Sequence, residues 1–198
     1  IAIMSFVVAS FIPRLGYKLA MLGALAVVAL ACLSTALISE FYMFKVLFAV
    51  IGCGFAVVKV SVYSIIGQVT EDANSHSSLL NTIEGIFMVG VLSGYWIFTA
   101  FIDPSQSNAW LNVYYALAAL TLIVLLSVVI APIAPAIDKN KTDSSLSDFI
   151  AMLKLTYQPL VLIFIISAFL YVLIEQGVGT WLPTFNNQVL QLPVAISI

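Results

Sequence analysis

Three charged residues, Lys59, Glu84 and Glu175, lie within long apolar runs of the sequence and are not explained by a position near the membrane interface. In lipid such side chains are costly, and they usually face a bundle interior or a water-filled cavity. A carboxylate placed there takes up a proton when its surroundings become dry, because desolvation disfavours its charged form. These three residues are therefore candidates for proton transfer or for binding a polar solute.

Lys59 and Glu84 are expected to form an ion pair. With a helical rise of about 1.5 Å per residue, Lys59 lies roughly 6 Å from the centre of its run, near Phe55. Glu84 lies roughly 9 Å from the centre of the next, antiparallel run, near Gly90, and on the same side. Pairing would lower the desolvation cost of both charges. Two roles stay open, a static contact that fixes helix packing and a protonation or substrate site to which Tyr63, one turn from Lys59, adds a hydrogen-bonding group.

Glu175 is the centre of a second polar group, which consists of Tyr171, Glu175, Gln176 and Trp181. Tyr171 lies one turn before Glu175, so the two share a helix face. Gly177 and Gly179 follow, and glycines that loosen a helix beside polar residues mark the substrate region of transporters. The alternative is a helix end that is already wet at the outer interface, with Trp181 as an aromatic anchor.

The composition defines the solvent of this protein. Of its 198 residues, 63% are hydrophobic and 8% are charged, against about 25% charged in an average soluble domain. A water-soluble globule is therefore excluded. The net charge of −2 supplies no basic field, so nucleic-acid binding is not expected. With two cysteines and one histidine, neither a metal site nor a cofactor is expected, and the absence of nucleophile-elbow and phosphate-loop motifs argues against an enzyme.

Apolar runs long enough to span a bilayer predict an all-α integral membrane protein. The runs cover residues 19–38, 41–69, 79–102, 110–131 and 157–180, with a shorter run at 1–12. Polar stretches at 71–78, 103–108 and 132–156 are predicted to be connections. The opening apolar run without an initiator Met, and the apolar residues at 190–198, indicate an internal piece of a longer protein.

Lysine and arginine outside the runs predict the orientation, since they accumulate in cytoplasmic loops. Arg14 and Lys18 lie in the first connection, and Lys139, Lys141 and Lys154 lie in the polar stretch 132–156. Successive spans alternate in direction, so the connection at Glu71, which is acidic and has no lysine or arginine, falls on the same side. The connections at Arg14, Glu71 and Lys139 are therefore predicted to be cytoplasmic, in a plasma or inner membrane.

The polar stretch also carries a short amphipathic pattern. Phe149, Ile150 and Leu153 share one helical face, and Ser145 or Ser147 is available as an N-cap. A short interfacial helix is predicted here, and an unstructured linker is the alternative.

Small residues predict where helices approach each other closely. Gly90 and Gly94 form a GxxxG step, and Gly52 and Gly54 are expected to act similarly on the Lys59 helix. Lys45, near the outer end of that helix, is expected to extend its ammonium group to the interface.

Residues 9–18, Ala-Ser-Phe-Ile-Pro-Arg-Leu-Gly-Tyr-Lys, resemble the signature between helices 2 and 3 of the major facilitator superfamily, Gly-x-Leu-Ala-Asp-Arg-x-Gly-Arg-Arg. Arg14, Gly16 and Lys18 match this cytoplasmic gate motif, whereas Pro13 replaces the aspartate and Tyr17 a basic residue. The resemblance implies a helical bundle running from the end of helix 2 to helix 7 and the start of the next segment. Its parts are an incomplete N-terminal bundle (1–131), a cytoplasmic linker (132–156) and the start of a C-terminal bundle (157–198).

The stretch 171–186 is similar to helix 7 of the fucose–galactose–hexose:proton symporter branch, although Lys59 and its neighbours replace the carboxylate motif that this branch carries on helix 4. The resemblance implies a monomeric secondary active transporter in a lipid bilayer. It would move a small polar solute, a sugar or other metabolite, by alternating access with coupling to H+. The alternative is a channel or a non-transporting membrane scaffold in which the buried ion pairs are structural.

Overall fold

The computed structural model describes residues 2–38, 40–101, 109–133, 150 and 153–193, which contain helices and no strand. The helices are α1 (Ala2–Leu15), α2 (Tyr17–Leu37), α3 (Phe41–Val69), α4 (Ala73–Ala100), α5 (Val113–Ile130) and α6 (Pro159–Gln188), with a 3-10 turn at Ala109–Asn112 before α5. The predicted all-α architecture is therefore present. The chain divides into two compact units, 1–145 and 146–198, which are described separately.

Five of these helical segments are long and apolar enough to cross a membrane. They are Tyr17–Leu37, Phe41–Val69, Ala73–Ala100, Ala109–Ile130 and Pro159–Gln188, and they contain 21 to 30 residues. At about 1.5 Å per residue, each reaches across a hydrocarbon core about 30 Å thick.

Helix α4 begins at Ala73, so the prediction of a polar connection over residues 71–78 was wrong beyond Asp72. Hydropathy reports where the lipid ends, whereas a helix continues into the interface as long as its backbone bonds form. Asp72 stands at the N-cap position, and the neighbouring Ser75 hydroxyl lowers the pKa of its carboxylate. Thr70 Oγ1 donates to the Ile66 carbonyl at 2.8 Å and lies 3.1 Å from His76 Nδ1, which fastens the end of α3 to the first turn of α4.

The core of unit 1–145 forms where α2 packs against α3 and α5, and where α1 packs against α3. Two clusters of buried side chains fill these contacts. The first contains Cys32, Leu47, Leu111, Val113, Tyr114 and Ala118, and the second contains Val8, Ile12 and Tyr17. Because lipid is as apolar as these side chains, close packing rather than burial from water holds such helices together.

Helices α2 and α3 approach each other closely at Gly54. A Cβ at this position would lie 2.6 Å from Val28 Cγ2, so the contact requires glycine. The prediction of close packing is confirmed at Gly54. At Gly90 and Gly94 a Cβ would meet no atom of the described residues within 4 Å, and their packing role stays a prediction.

Of the predicted interfacial helix at 147–154, Phe149, Ser145 and Ser147 lie outside the described residues. Ile150 and residues 153–156 are helical.

Candidate functional site

Lys59 on α3 and Glu84 on α4 form the predicted ion pair, with 3.2 Å between Lys59 Nζ and Glu84 Oε1. The two helices are joined by the short connection 70–72, and nearly the same number of residues separates each partner from that connection. Because every helical residue rises by the same distance, the two side chains reach the same height. The short connection thus sets the register that makes the pair.

Three aromatic rings surround the Lys59 ammonium group. Its Nζ lies 5.3 Å from the ring centroid of Tyr63, 5.5 Å from that of Phe87 and 5.7 Å from that of Phe55. The rings of Phe55 and Phe87 are themselves 5.6 Å apart. The electron-rich faces of aromatic rings attract a cation within about 6 Å. The rings therefore hold the ammonium group in place beside Glu84. We call Lys59, Glu84 and these three rings the ammonium box.

The sequence interpretation found Tyr63 but missed Phe55 and Phe87. Phe55 lies one helical turn before Lys59, and Phe87 lies three residues after Glu84, so each shares a helix face with a partner of the pair. This spacing was the available signal. It is weak, because most aromatic residues in a membrane helix contact lipid or other apolar side chains.

The ammonium box is half-buried rather than sealed. The side chains of Lys59 and Glu84 are 36% and 30% exposed. An ammonium group has three N–H donors. Among the described residues, Glu84 supplies the acidic oxygen within 4.0 Å of it. The box thus combines a held cation, a carboxylate and an open side.

A cleft of about 540 Å³ lies between α1, α2 and α3, and its chemistry differs from that of the ammonium box. Its lining is apolar and includes Met4, Val27, Val57 and Cys53. Binding sites for polar solutes need a few convergent polar groups to fix orientation. The ammonium box supplies such groups in unit 1–145, and the cleft does not.

The gate motif occupies a junction between two helices rather than a loop. The predicted connection between the apolar runs 1–12 and 19–38 was too long, because α1 continues to Leu15, α2 begins at Tyr17 and only Gly16 separates them. Gly16 has φ 87° and ψ 133°, a conformation open mainly to glycine. Its N–H donates to the Ile12 carbonyl at 2.9 Å, and its carbonyl accepts from the Ala20 N–H at 3.1 Å. One glycine therefore ends α1 and starts α2.

Two other motif positions have defined neighbours. Lys18 Nζ donates to the carbonyl oxygens of Val129 at 2.9 Å and Ala131 at 2.7 Å, at the C-terminal end of α5. The last carbonyls of a helix lack partners within it, and cations stabilise that end. Tyr17, which replaces a basic residue of the family signature, is buried in the apolar cluster with Val8 and Ile12. The side chain of Arg14 lies outside the described residues.

Lys18→Met is expected to lower the free energy of unfolding by about 1 kcal/mol, because the last carbonyls of α5 lose a charged donor. Thermal denaturation of the purified protein checks this. Lys45→Met is the matched control, since the Lys45 ammonium group is exposed and lies 4.9 Å from the Phe41 ring. Equal melting temperatures for the two variants would contradict the helix-end role of Lys18.

In unit 146–198, all four predicted site residues of α6 are exposed: Tyr171, Glu175, Gln176 and Trp181. The helix continues through both glycines to Gln188, eight residues past the predicted end of the span at 180. Pro183 has no N–H, so it cannot bond to the Gly179 carbonyl one turn earlier. Glu175 and Gly179 share a face by their spacing, so α6 presents a carboxylate beside a weakened turn.

A family model described as Major Facilitator Superfamily matches residues 1–198. This chain belongs to the major facilitator superfamily. It is therefore a multi-pass membrane protein and, in general terms, a secondary transporter of small-molecule solutes in a lipid bilayer. No curated protein and no solved structure matches it.

Proposed function

We propose that this superfamily member moves a small polar solute together with H+ by alternating access. The ammonium box carries the proposal, because it brings Lys59, Tyr63 and Glu84 together on two neighbouring helices. A charge pair at membrane depth is typical of substrate and ion pathways. In alternating access, two helical halves rock around a site near the midplane of the bilayer.

Glu84 is proposed as the proton carrier. When the site opens to one side, water stabilises the charged carboxylate, and when it closes, desolvation favours the protonated form. Protonation of Glu84 removes the negative partner of Lys59. The ammonium group then becomes available to another acceptor, so the proton state of Glu84 controls the binding state of Lys59.

Helix α6 is proposed to contribute the second group of solute contacts. Glu175 is a second carboxylate that can exchange a proton, while Tyr171, Gln176 and Trp181 offer hydrogen bonds and a stacking surface. The resemblance to the hexose:proton symporter branch supports a sugar or another polar metabolite as the solute.

The distribution of charged residues supports an orientation of the chain in the membrane. We propose that the Arg14–Lys18 junction is the cytoplasmic gate, with the connection at Lys139 on the same side of a plasma or inner membrane, since lysine and arginine concentrate in these two connections. Because successive spans alternate in direction, the connection at Glu71 is proposed to lie on this side as well. The stretch 132–156 is then the linker between the two bundles. Gly90 and Gly94 are proposed to allow a neighbouring helix to pack closely against α4. The transporter is proposed to work as a monomer.

Proton-driven uptake by the protein in liposomes tests this function, with labelled glucose, lactate and choline as probes. Glu84→Gln and Glu175→Gln keep a hydrogen-bonding side chain but cannot exchange a proton. We expect each to lower proton-driven uptake at least about tenfold, in line with the loss of an intramembrane proton carrier.

Glu40→Gln is the control, since Glu40 is an exposed carboxylate in the connection before α3. Proton-driven uptake that is unchanged in both test variants would contradict the proposal. Linear flux without saturation or counterflow would favour the channel instead.

A further inference from the structure

We infer that the transported solute is an organic anion with a single negative charge, and that its anionic group replaces Glu84 on Lys59 when Glu84 takes up a proton. This inference rests on the proposed function and assigns it a substrate class. The cation in the ammonium box is the ammonium group of Lys59, so the protein itself supplies it.

A solute cation does not fit the box. The faces of Phe55, Tyr63 and Phe87 already surround the Lys59 ammonium group at 5.3 to 5.7 Å. A cationic solute would have to displace this tethered group and leave it in lipid without a partner. Leaving one charge of a partly buried pair without its partner is destabilising. The ammonium box is therefore suited to bind a negatively charged group rather than a cation.

An anion does fit, because the ammonium group has donors to spare. It has three N–H donors, and Glu84 Oε1 lies 3.2 Å from Lys59 Nζ as the acceptor of the ion pair. The ammonium group lies over the faces of the aromatic rings. These faces attract its charge, but they do not serve as strong hydrogen-bond acceptors. With the Lys59 side chain 36% exposed, a carboxylate on a solute can reach it from the open side.

Charge balance links the anion to the proton. With Glu84 charged, the pair is neutral, and an added anion would bring an uncompensated negative charge into a medium of low dielectric constant. With Glu84 protonated, the anion restores one negative charge beside one positive charge. Proton and anion therefore bind together and leave together, one of each, with no net charge moved.

Among the described residues, the ion pair of Lys59 is with Glu84. The described side chains of α1 are uncharged, and on α4 His76 lies against Thr70. From α2, Tyr17 joins the apolar cluster with Val57 and Val60, and Cys32 is buried in the other cluster. Lys18 is bonded to the carbonyls at the end of α5. On α3 itself, Tyr63 contacts Lys59 through its ring face. Glu84 is thus the titratable group whose protonation changes the charge of the box.

Binding to the purified protein in detergent tests the inference. Lactate and benzoate serve as monoanion probes, glucose as the neutral probe and choline as the cationic probe, each followed by the rise in melting temperature it causes. We expect the monoanions to bind the unmodified protein at least about tenfold more tightly near pH 5.5 than near pH 7.5, since binding requires a proton on Glu84.

Three variants test whether the pH-dependent binding of the monoanions depends on Glu84 and Lys59. Glu84→Gln should bind the monoanions equally at both pH values, because its side chain mimics the protonated acid. Lys59→Met should lose binding at both. Lys45→Met, the same substitution on the same helix in an exposed position, should bind as the unmodified protein does.

Two results would overturn the inference. One is monoanion binding that survives Lys59→Met, and the other is a melting temperature that responds to neither monoanion at either pH, whether or not glucose or choline changes it. Neither result touches the proposed transport function, which fails separately if proton-driven uptake in liposomes is unchanged by Glu84→Gln and Glu175→Gln.

Discussion

Gly54→Ala is expected to lower the free energy of unfolding by about 2 kcal/mol, a cost typical of overpacking at a tight contact. The added Cβ would lie 2.6 Å from Val28 Cγ2 on α2. Valine is β-branched and keeps one χ1 rotamer in a helix, so its methyl group cannot turn away. The helices α2 and α3 would have to separate, and packing that holds membrane helices together would be lost. Thermal denaturation in detergent measures the loss.

Two further variants separate this contact from a general effect of alanine. Gly67→Ala, on the same helix, meets no described atom within 4 Å, so it should be neutral or stabilise by up to about 1 kcal/mol through helix propensity. Combining Gly54→Ala with Val28→Ala removes the clashing methyl group, so the double variant should lose less than the sum of the single losses. Additive losses would contradict the close contact.

Gly16→Ala is expected to destabilise the junction of α1 and α2 by about 1–3 kcal/mol. At φ 87° and ψ 133° a Cβ clashes with the adjacent backbone, so the alanine chain must leave this conformation. Leaving it would break the bonds that join Gly16 to Ile12 and to Ala20. A fall in melting temperature, together with a lower yield of folded protein, is the expected observation.

Gly16→Asn sharpens this prediction. Asparagine tolerates the left-handed helical conformation near ψ +45°, but Gly16 has ψ 133°, so asparagine should destabilise as much as alanine. Gly23→Ala is the control, because Gly23 lies within α2 and its Cβ would meet open space. A Gly16→Asn protein as stable as the unmodified one would show that the junction uses a different backbone conformation.

The sequence alone was sufficient for the ion pair. Lys59 and Glu84 stand out because charge is rare in apolar runs, and the short connection 70–72 makes their heights comparable by counting residues. The same approach placed all of α3 correctly, because its apolar run ends where its helix ends. It placed the start of α4 too late, since polar residues in the first turns of that helix lie beyond the apolar run, and hydropathy does not register a helix there.

Only the tertiary structure decided which small or aromatic residues matter. Gly54 and Gly90 are indistinguishable as letters, yet only Gly54 has a methyl group of α2 against it among the described residues. Phe55 and Phe87 are apolar like their neighbours, and a ring becomes part of a site only when a cation lies over its face.

The charged residues show most clearly which contacts can be predicted from the sequence and which depend on the tertiary structure. Where a charged residue meets a partner on the adjacent helix of a hairpin, as Lys59 meets Glu84, local geometry and the energetic cost of an unpaired charge in lipid make the partner predictable from the sequence. Lys18 bonds to backbone carbonyls more than one hundred residues away, at the end of α5. Every helix end carries such carbonyls, so the sequence cannot say which end a lysine will reach, and only the packing of α2 against α5 brings these two together.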